Sequence, residues 1–276
     1  MTGGNYGTQY GGIDAIIRVF NELDPKKLKG TIITVPVMHM PAFQMGMDRS
    51  PIDGLSLNSV FQGDPNGSIT RRIAHVVFSE VIKKSQYHLD IRGGDLWEAE
   101  VEFASVHDTK NAKFDEENVS IAKILGLKYW YLNPYPRGTI KTEASLAGIH
   151  SVVMMAYKGL GTYDEDDIEK CSRGIHNLLK YLKMIEGKPE IPTKPIRMAP
   201  SQTTYGINVK EGGLLYLDVK FGDLVINGQK VGEIRNLKGE TLEVLTSPHD
   251  GVIHAVFPKH VKQPGEPVLD VRALAE

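Results

Sequence analysis

The stretch Tyr87-His-Leu-Asp-Ile-Arg-Gly-Gly-Asp95 alternates polar and apolar side chains up to a glycine pair, the pattern of a strand running into a tight turn. His88, Asp90 and Arg92 fall on one face of it, Leu89 and Ile91 on the other. Working backwards, Ile69, Ile73, Val76, Val77 and Val81 recur at helical spacing and predict an amphipathic helix over 68–84. Ile13, Ile16, Ile17, Phe20 and Leu23 mark an earlier helix that Asp24-Pro25 closes. Between these helices, Gly30-Thr-Ile-Ile-Thr-Val-Pro-Val37 is a β-branched run that suits a buried strand. Working forwards, strands are expected over 98–106 and 151–156, and helices over 115–125 and 164–185. Buried strands alternating with amphipathic helices define an α/β chain built on a helix-covered, largely parallel sheet.

The texture changes after the proline-bearing stretch 187–195. Short strand-like pieces follow, separated by turns such as Phe221-Gly-Asp223, Asn227-Gly228, Lys238-Gly239 and Pro264-Gly265. Two domains are therefore expected, 1–196 and 197–276, the second all-β. That second unit looks like the barrel-sandwich domains of carrier proteins, but it has no lysine between two methionines at a hairpin tip. A lid or assembly surface is the role expected of it.

Composition removes several function classes. The 276 residues carry 32 Lys+Arg against 34 Asp+Glu, a net charge of -2, with no basic run to grip nucleic acid or an anionic membrane. No apolar stretch approaches the ~18 residues of a spanning helix, and the N-terminus lacks the charged and apolar regions of a secretory signal. A cytoplasmic protein is expected. The single cysteine, Cys171, keeps helical register with Ile168, Ile175, Leu178 and Leu179 and is expected in the core.

Several separated motifs point to one family. Pro36-Val-Met-His-Met-Pro-Ala-Phe43, Arg49-Ser-Pro-Ile-Asp-Gly54, Leu57-Asn58, Val60-Phe61 with Gly63-Asp-Pro65, Arg72-Ile-Ala74, Asp90-Ile-Arg-Gly-Gly-Asp95 and Gly148-Ile149 occur in this order. Together they resemble the succinylglutamate desuccinylase/aspartoacylase family of the zinc carboxypeptidase-like fold. The resemblance implies a mixed sheet flanked by helices, with the site at the C-terminal ends of central strands. It also implies a zinc ion held by two histidines and a glutamate, a second glutamate as general base, and an Asn-Arg pair gripping a substrate carboxylate. Members of the family hydrolyse amides joining an acyl group to an amino acid or amine. They also carry some tens of residues before these motifs, so that here either the sheet is shorter or the start is truncated.

The chemical positions of that pattern are changed. The family's Gly-x-His-Gly-Asp-Glu corresponds to Gly4-Asn-Tyr-Gly-Thr-Gln9, placing Tyr6 and Gln9 at two ligand positions. The third ligand position holds Arg92, the catalytic glutamate position Met155, and the clamp arginine position Ser59, while Asn58 and Arg49 remain. A phenol, an amide and a guanidinium are not competent zinc ligands at neutral pH. Lowering the pKa of water to about 7 on zinc is worth roughly 12 kcal/mol, which those groups do not supply.

The reading that follows from these losses is a non-hydrolytic homologue acting in assembly, regulation or small-ligand binding. Its vestigial cleft would comprise Tyr6, Gln9, Arg49, Asn58, Asp90 and Arg92, with no metal and no cofactor. A protein partner or second copy is expected, with a small acidic or acyl-amine ligand and neither nucleic acid nor membrane. Two alternatives stay open: an active deacylase with an unconventional site, zinc included, and a metal-free enzyme using Tyr6 and Arg92. Three smaller readings accompany these. Arg92 pairs with Asp90 rather than leaving His88 to build a relocated metal site with His39 or His107. The glycine-rich start, 3–12, lacks the Lys-Ser/Thr ending of a phosphate loop. Asp164-Glu-Asp-Asp167 opens a helix and complements its dipole.

Overall fold

The computed structural model describes residues 1–275. Its helices are α1 Tyr10–Glu22, α2 Met40–Met45, α3 Ile69–Glu80, α4 Ala112–Ile124, α5 Ile140–Leu146 and α6 Glu165–Tyr181. The first strands are β1 Tyr87–Gly93, β2 Ala99–Glu100, β3 Phe103–His107, β4 Tyr129–Asn133, β5 His150–Tyr157 and β6 Ile196–Arg197. Eight more follow: β7 Thr204–Asn208, β8 Gly213–Leu217, β9 Leu224–Val225, β10 Lys230–Arg235, β11 Thr241–Thr246, β12 Gly251–Val256, β13 Val261–Lys262 and β14 Pro267–Arg272.

The central sheet has the order β1-β5-β3-β4-β6. Neighbours are parallel except β3 and β5, which run antiparallel, so the sheet is mixed. One of its faces is apolar: Leu89, Ile91, Ala104, Val106, Val152 and Met154 pack with Ile16 and Val19 of α1, Ile121 of α4, and Ile175 and Leu179 of α6. The amphipathic spacing of α1 and α6 exists to cover this face. Cys171 lies fully buried among them, and burial pushes its thiol up, out of nucleophilic range.

Two antiparallel sheets form the C-terminal part, β11-β10-β8-β13 and β2-β12-β14-β7, with β9 paired to β12. Their core holds Val231, Ile234, Ile253, Val268 and Leu269. The two halves are stitched together: β2 pairs with β12, and Val101, Phe103 and Tyr131 pack with Met198 and Val252. Among the described residues, no helix is long and apolar enough to cross a membrane.

Several expected elements came out differently. The run 30–37 is not a strand; Val35 makes a single parallel bridge with Thr2, fixed by hydrogen bonds of 3.0 Å from Val35 N to Met1 O and from Gly3 N to Val35 O. Pro36 has no N–H to continue such a ladder. The stretch 98–106 splits into β2 and β3, which belong to different sheets. The spacing did not disclose α2, β4 or α5. Both α2 and α5 are too short to display an apolar stripe, and the sequence of α5, Ile140-Lys-Thr-Glu-Ala-Ser-Leu146, is mostly polar.

Candidate active-site cleft

The face of the central sheet opposite the apolar core carries the polar residues, because alternate residues of each strand point to it. Register sets them in rows. Asp90, Val153, Ser105 and Tyr131 lie side by side across β1, β5, β3 and β4; Arg92, Met155, Phe103 and Tyr129 form the next row. Arg92 and Phe103 thus flank Met155 from either side.

Arg92 organises one end. Its Nε donates to Asp90 Oδ2 at 2.6 Å, its Nη2 lies 2.5 Å from the same oxygen, and Nη2 also donates to Asn58 Oδ1 at 3.0 Å. Asp90 has no exposed surface and accepts a further hydrogen bond from Thr2 Oγ1 at 2.9 Å. The pair is therefore buried and saturated on the carboxylate side, the condition under which a buried ion pair is tolerated. Asn58 Oδ1 also accepts from Asn5 Nδ2 and the Ile140 N–H, each at 3.3 Å, and Asn58 Nδ2 donates to the Tyr6 hydroxyl at 3.3 Å. The Tyr6 ring stacks toward the Arg92 guanidinium, 5.6 Å from Cζ. Tyr6, Asn58, Asp90 and Arg92 are thereby one connected group.

Gln9 and Arg49 stand apart from it. Gln9 is buried and donates through Nε2 to Gly93 O at 2.7 Å and to Asp95 Oδ1 at 3.4 Å. Arg49 is exposed and forms no side-chain hydrogen bond or ion pair with any described residue. Ser59 is exposed and bonds only Ser56 O, at 2.8 Å. Glycines shape the floor by what they lack: a Cβ on Gly93 would fall 2.1 Å from the Tyr157 ring, and one on Gly7 2.2 Å from the Ala42 backbone.

Beyond Gln9 the chain gathers carboxylates. Burial, helped by the charges of Asp48 and Glu98, pushes Asp95 up to about 7; burial also raises Glu98 and, more strongly, Glu100. Buried His254, held neutral with its pKa lowered to about 3, has Nε2 3.9 Å from Glu100 Oε1.

A cavity of about 140 Å³ opens beside Arg92, lined by Asn58, Ser105, Tyr135, Lys141 and Met155 among others. Ser105 and Lys141 were not singled out from the sequence, since a serine and a lysine 36 positions apart carry no spacing signal. The fold brings them together. Thr139 caps α5 by accepting from the Thr142 N–H at 3.3 Å, and this turn delivers Lys141 Nζ to within 2.7 Å of Ser105 Oγ. Both side chains are buried, and the Tyr135 ring centroid lies 3.3 Å from Nζ. Burial, reinforced by the charges of Arg92 and Arg272, lowers the Lys141 pKa well below that of a free lysine.

The residues at the family's ligand positions do not fit zinc. Arg92 is a fixed cation locked onto Asp90, and Tyr6 is committed to Asn58. Both ring nitrogens of His88 are engaged, Nδ1 with Ser151 Oγ and Nε2 with Thr2 Oγ1, each at 2.9 Å. His107 Nδ1 accepts from the Tyr135 N–H at 3.2 Å. His39 is fully buried with neither nitrogen partnered, but it is a lone donor. Among the described residues, the one group of three His, Cys, Asp or Glu side chains close enough to share an ion is Asp164, Asp166 and Asp167 at the start of α6. There Asp164 and Asp167 form a capping box, with hydrogen bonds of 3.0 and 3.2 Å.

A sequence profile of the Succinylglutamate desuccinylase/Aspartoacylase catalytic domain matches residues 1–182. The N-alpha-acetyl-L-2,4-diaminobutyric acid deacetylase of Halomonas elongata is 29% identical over 282 residues, covering 100% of this chain and 82% of that protein. Among solved structures, a succinylglutamate desuccinylase/aspartoacylase from Rhodobacter sphaeroides superposes with a TM-score of 0.88 at 23% identity, covering 100% of this chain and 84% of the other. The product-bound ectoine utilization protein EutE (DoeB) of Ruegeria pomeroyi does so with 0.89 at 21%, covering 99% and 84%. The likeness along the whole chain to a deacetylase overturns the expectation of a non-hydrolytic homologue. The physical reason lies in what the five replaced positions measure. They report on one way of activating water, whereas amide hydrolysis needs only an activated nucleophile, an acid for the leaving amine and donors for the oxyanion.

Proposed function

The chain belongs to the succinylglutamate desuccinylase/aspartoacylase family, and from that premise we propose that it is an active deacylase, hydrolysing the amide of an N-acylated amino acid or amine. The observation that carries this reading is the match, from end to end of the chain, to the diaminobutyric acid deacetylase. The cleft supports it independently. A purely structural sheet face would be apolar, because each buried polar group costs about 1–3 kcal/mol unless bonded. Here Arg92, Ser105 and Lys141 are all retained in burial around one cavity, with Asp90 buried behind Arg92 as its counterion.

That cavity, of about 140 Å³, is where the acyl group would sit. A short acyl chain such as acetyl fits, while the amino-acid portion extends past the half-exposed Asn58, Tyr135 and Thr139 at the rim. Arg92 Nη1 has no partner among the described residues, so it is free to donate to the substrate, while Asp90 and Asn58 hold the guanidinium in place. Since the donor set does not fit zinc, the chain's own side chains supply the proton transfers.

The test is direct. Purified protein is incubated with a panel of Nα- and side-chain-acetylated and succinylated amino acids and diamines, N-acetyl-2,4-diaminobutyrate included, and the released acid is quantified. Release of acetate in preference to longer acids is expected. Absence of release from every member of the panel sinks the reading.

A further inference from the structure

We propose that Ser105 and Lys141 are the nucleophile and the general base of this deacylation, a pairing that rests on the deacylase reading and gives it a covalent mechanism. The inference stands on geometry. Ser105 Oγ and Lys141 Nζ are 2.7 Å apart, both residues are more than nine-tenths buried, and both line the cavity that Arg92 enters. A lysine kept in burial for structure alone ordinarily faces a carboxylate. Lys141 has none within ion-pair distance among the described residues. The charges that act on it are Arg92 and Arg272, which oppose its protonation, and Asp90, which is already bonded to Arg92. Its other neighbour, the Tyr135 ring, is neutral and presents its π-face to Nζ. A desolvated amine in such surroundings is held as the free base, the form that can take a proton from a hydroxyl.

The steps balance without a metal. Lys141 Nζ takes the Ser105 hydroxyl proton as Oγ bonds to the amide carbonyl carbon, and the Tyr135 ring stabilises the ammonium that forms. Arg92 Nη1 donates to the carbonyl oxygen as it takes up charge. The C–N bond then breaks as the lysine ammonium returns its proton to the leaving amine, leaving an acyl ester on Ser105. A water enters, gives one proton to Lys141, and adds its oxygen to the ester carbon. The ester C–O bond breaks, Ser105 Oγ regains the proton, and the carboxylic acid departs.

Two readouts test this. The first uses p-nitrophenyl acetate with the full chain: a stoichiometric burst of nitrophenol is expected, with one acetyl group on the peptide containing Ser105, and neither is expected in Ser105→Ala. The second uses the N-acetyl amino acid panel: Ser105→Ala and Lys141→Met are expected to lower kcat by at least ~10³-fold. The rise of kcat/KM with pH in the wild-type protein should vanish in Lys141→Met. Should the wild type hydrolyse the panel while Ser105→Ala keeps its rate within about threefold, the nucleophile assignment falls and the deacylase reading stands. Acetylation of Ser105 by the ester with no amide hydrolysed leaves the pair standing and sinks the deacylase reading. Neither burst nor amide turnover overturns both.

Discussion

The two faces of the central sheet are both buried, yet they are built from different materials. Toward α1, α4 and α6 lie Leu89, Ile91, Ala104, Val106, Val152 and Met154, a continuous apolar layer. Toward the cleft lie Asp90, Arg92, Ser105 and Met155, contributed by the same three strands at alternate positions. The apolar face is stable through area alone, so its residues exchange for others of similar volume at small cost. The polar groups of the cleft face are stable only in partnership, Asp90 with Arg92 and Ser105 with Lys141 of α5. Removing one leaves its partner buried and unbonded.

The largest contrast should come from breaking the ion pair. Asp90→Ala leaves Arg92 charged, buried and without its counterion, and is expected to cost about 3–5 kcal/mol in chemical denaturation, whereas Asp90→Leu combined with Arg92→Met should come near the wild-type value. On the other face, Met154→Ala opens a cavity against Gly174, to which its thioether lies close, and should cost ~2–4 kcal/mol. Met154→Leu, near in volume, should cost under ~1.5 kcal/mol. An Asp90→Ala cost no larger than that of Met154→Ala would dissolve the distinction.

A third prediction uses pH. The Asp95 pKa is raised from 3.8 in the unfolded chain to about 7 in the fold. Between those values the unfolded state has released a proton that the folded state keeps, so stability falls as pH rises. The Asp95 contribution is complete below pH 3.8 and lost through pH 7, at up to ~1.4 kcal/mol per unit. Asp95→Asn should flatten that part of the denaturation profile, and an unchanged slope would count against the buried carboxyl. The smallest effect is expected for Tyr6→Phe, which removes one 3.3 Å hydrogen bond to Asn58 and should cost about 0.5–1.5 kcal/mol while keeping the stacking on Arg92.

The apolar face was the more legible in the sequence. Period-2 alternation over Tyr87–Gly93 and helical spacing in α1 and α6 are local signals, and they located the layers and placed Cys171 in the core. The family motifs carried the fold, because the glycines and prolines that shape the turns survive even where the chemistry has changed. The cleft was half legible. Tyr6, Asn58, Asp90 and Arg92 sit in retained motifs and proved to be bonded together, whereas Arg49, from an equally recognisable motif, is exposed and bonded to none of them. Ser105 and Lys141 could not be found locally: one is an unremarked position of a strand, the other lies in a seven-residue helix without an apolar stripe. Only the packing of α5 on the sheet joins them.

The replacements at the zinc positions therefore do not by themselves report on whether the cleft is active. Motif comparison detects what is missing from an inherited site, while a site assembled from tertiary contacts leaves no motif. The proposed hydrolysis of acyl amides by the cleft's own side chains is tested most directly by measuring acetate release from N-acetylated amino acids by protein treated with a strong chelator, before and after zinc is restored. Release that persists in chelator and is unchanged by zinc is the predicted result; release that appears only when zinc is added would contradict it.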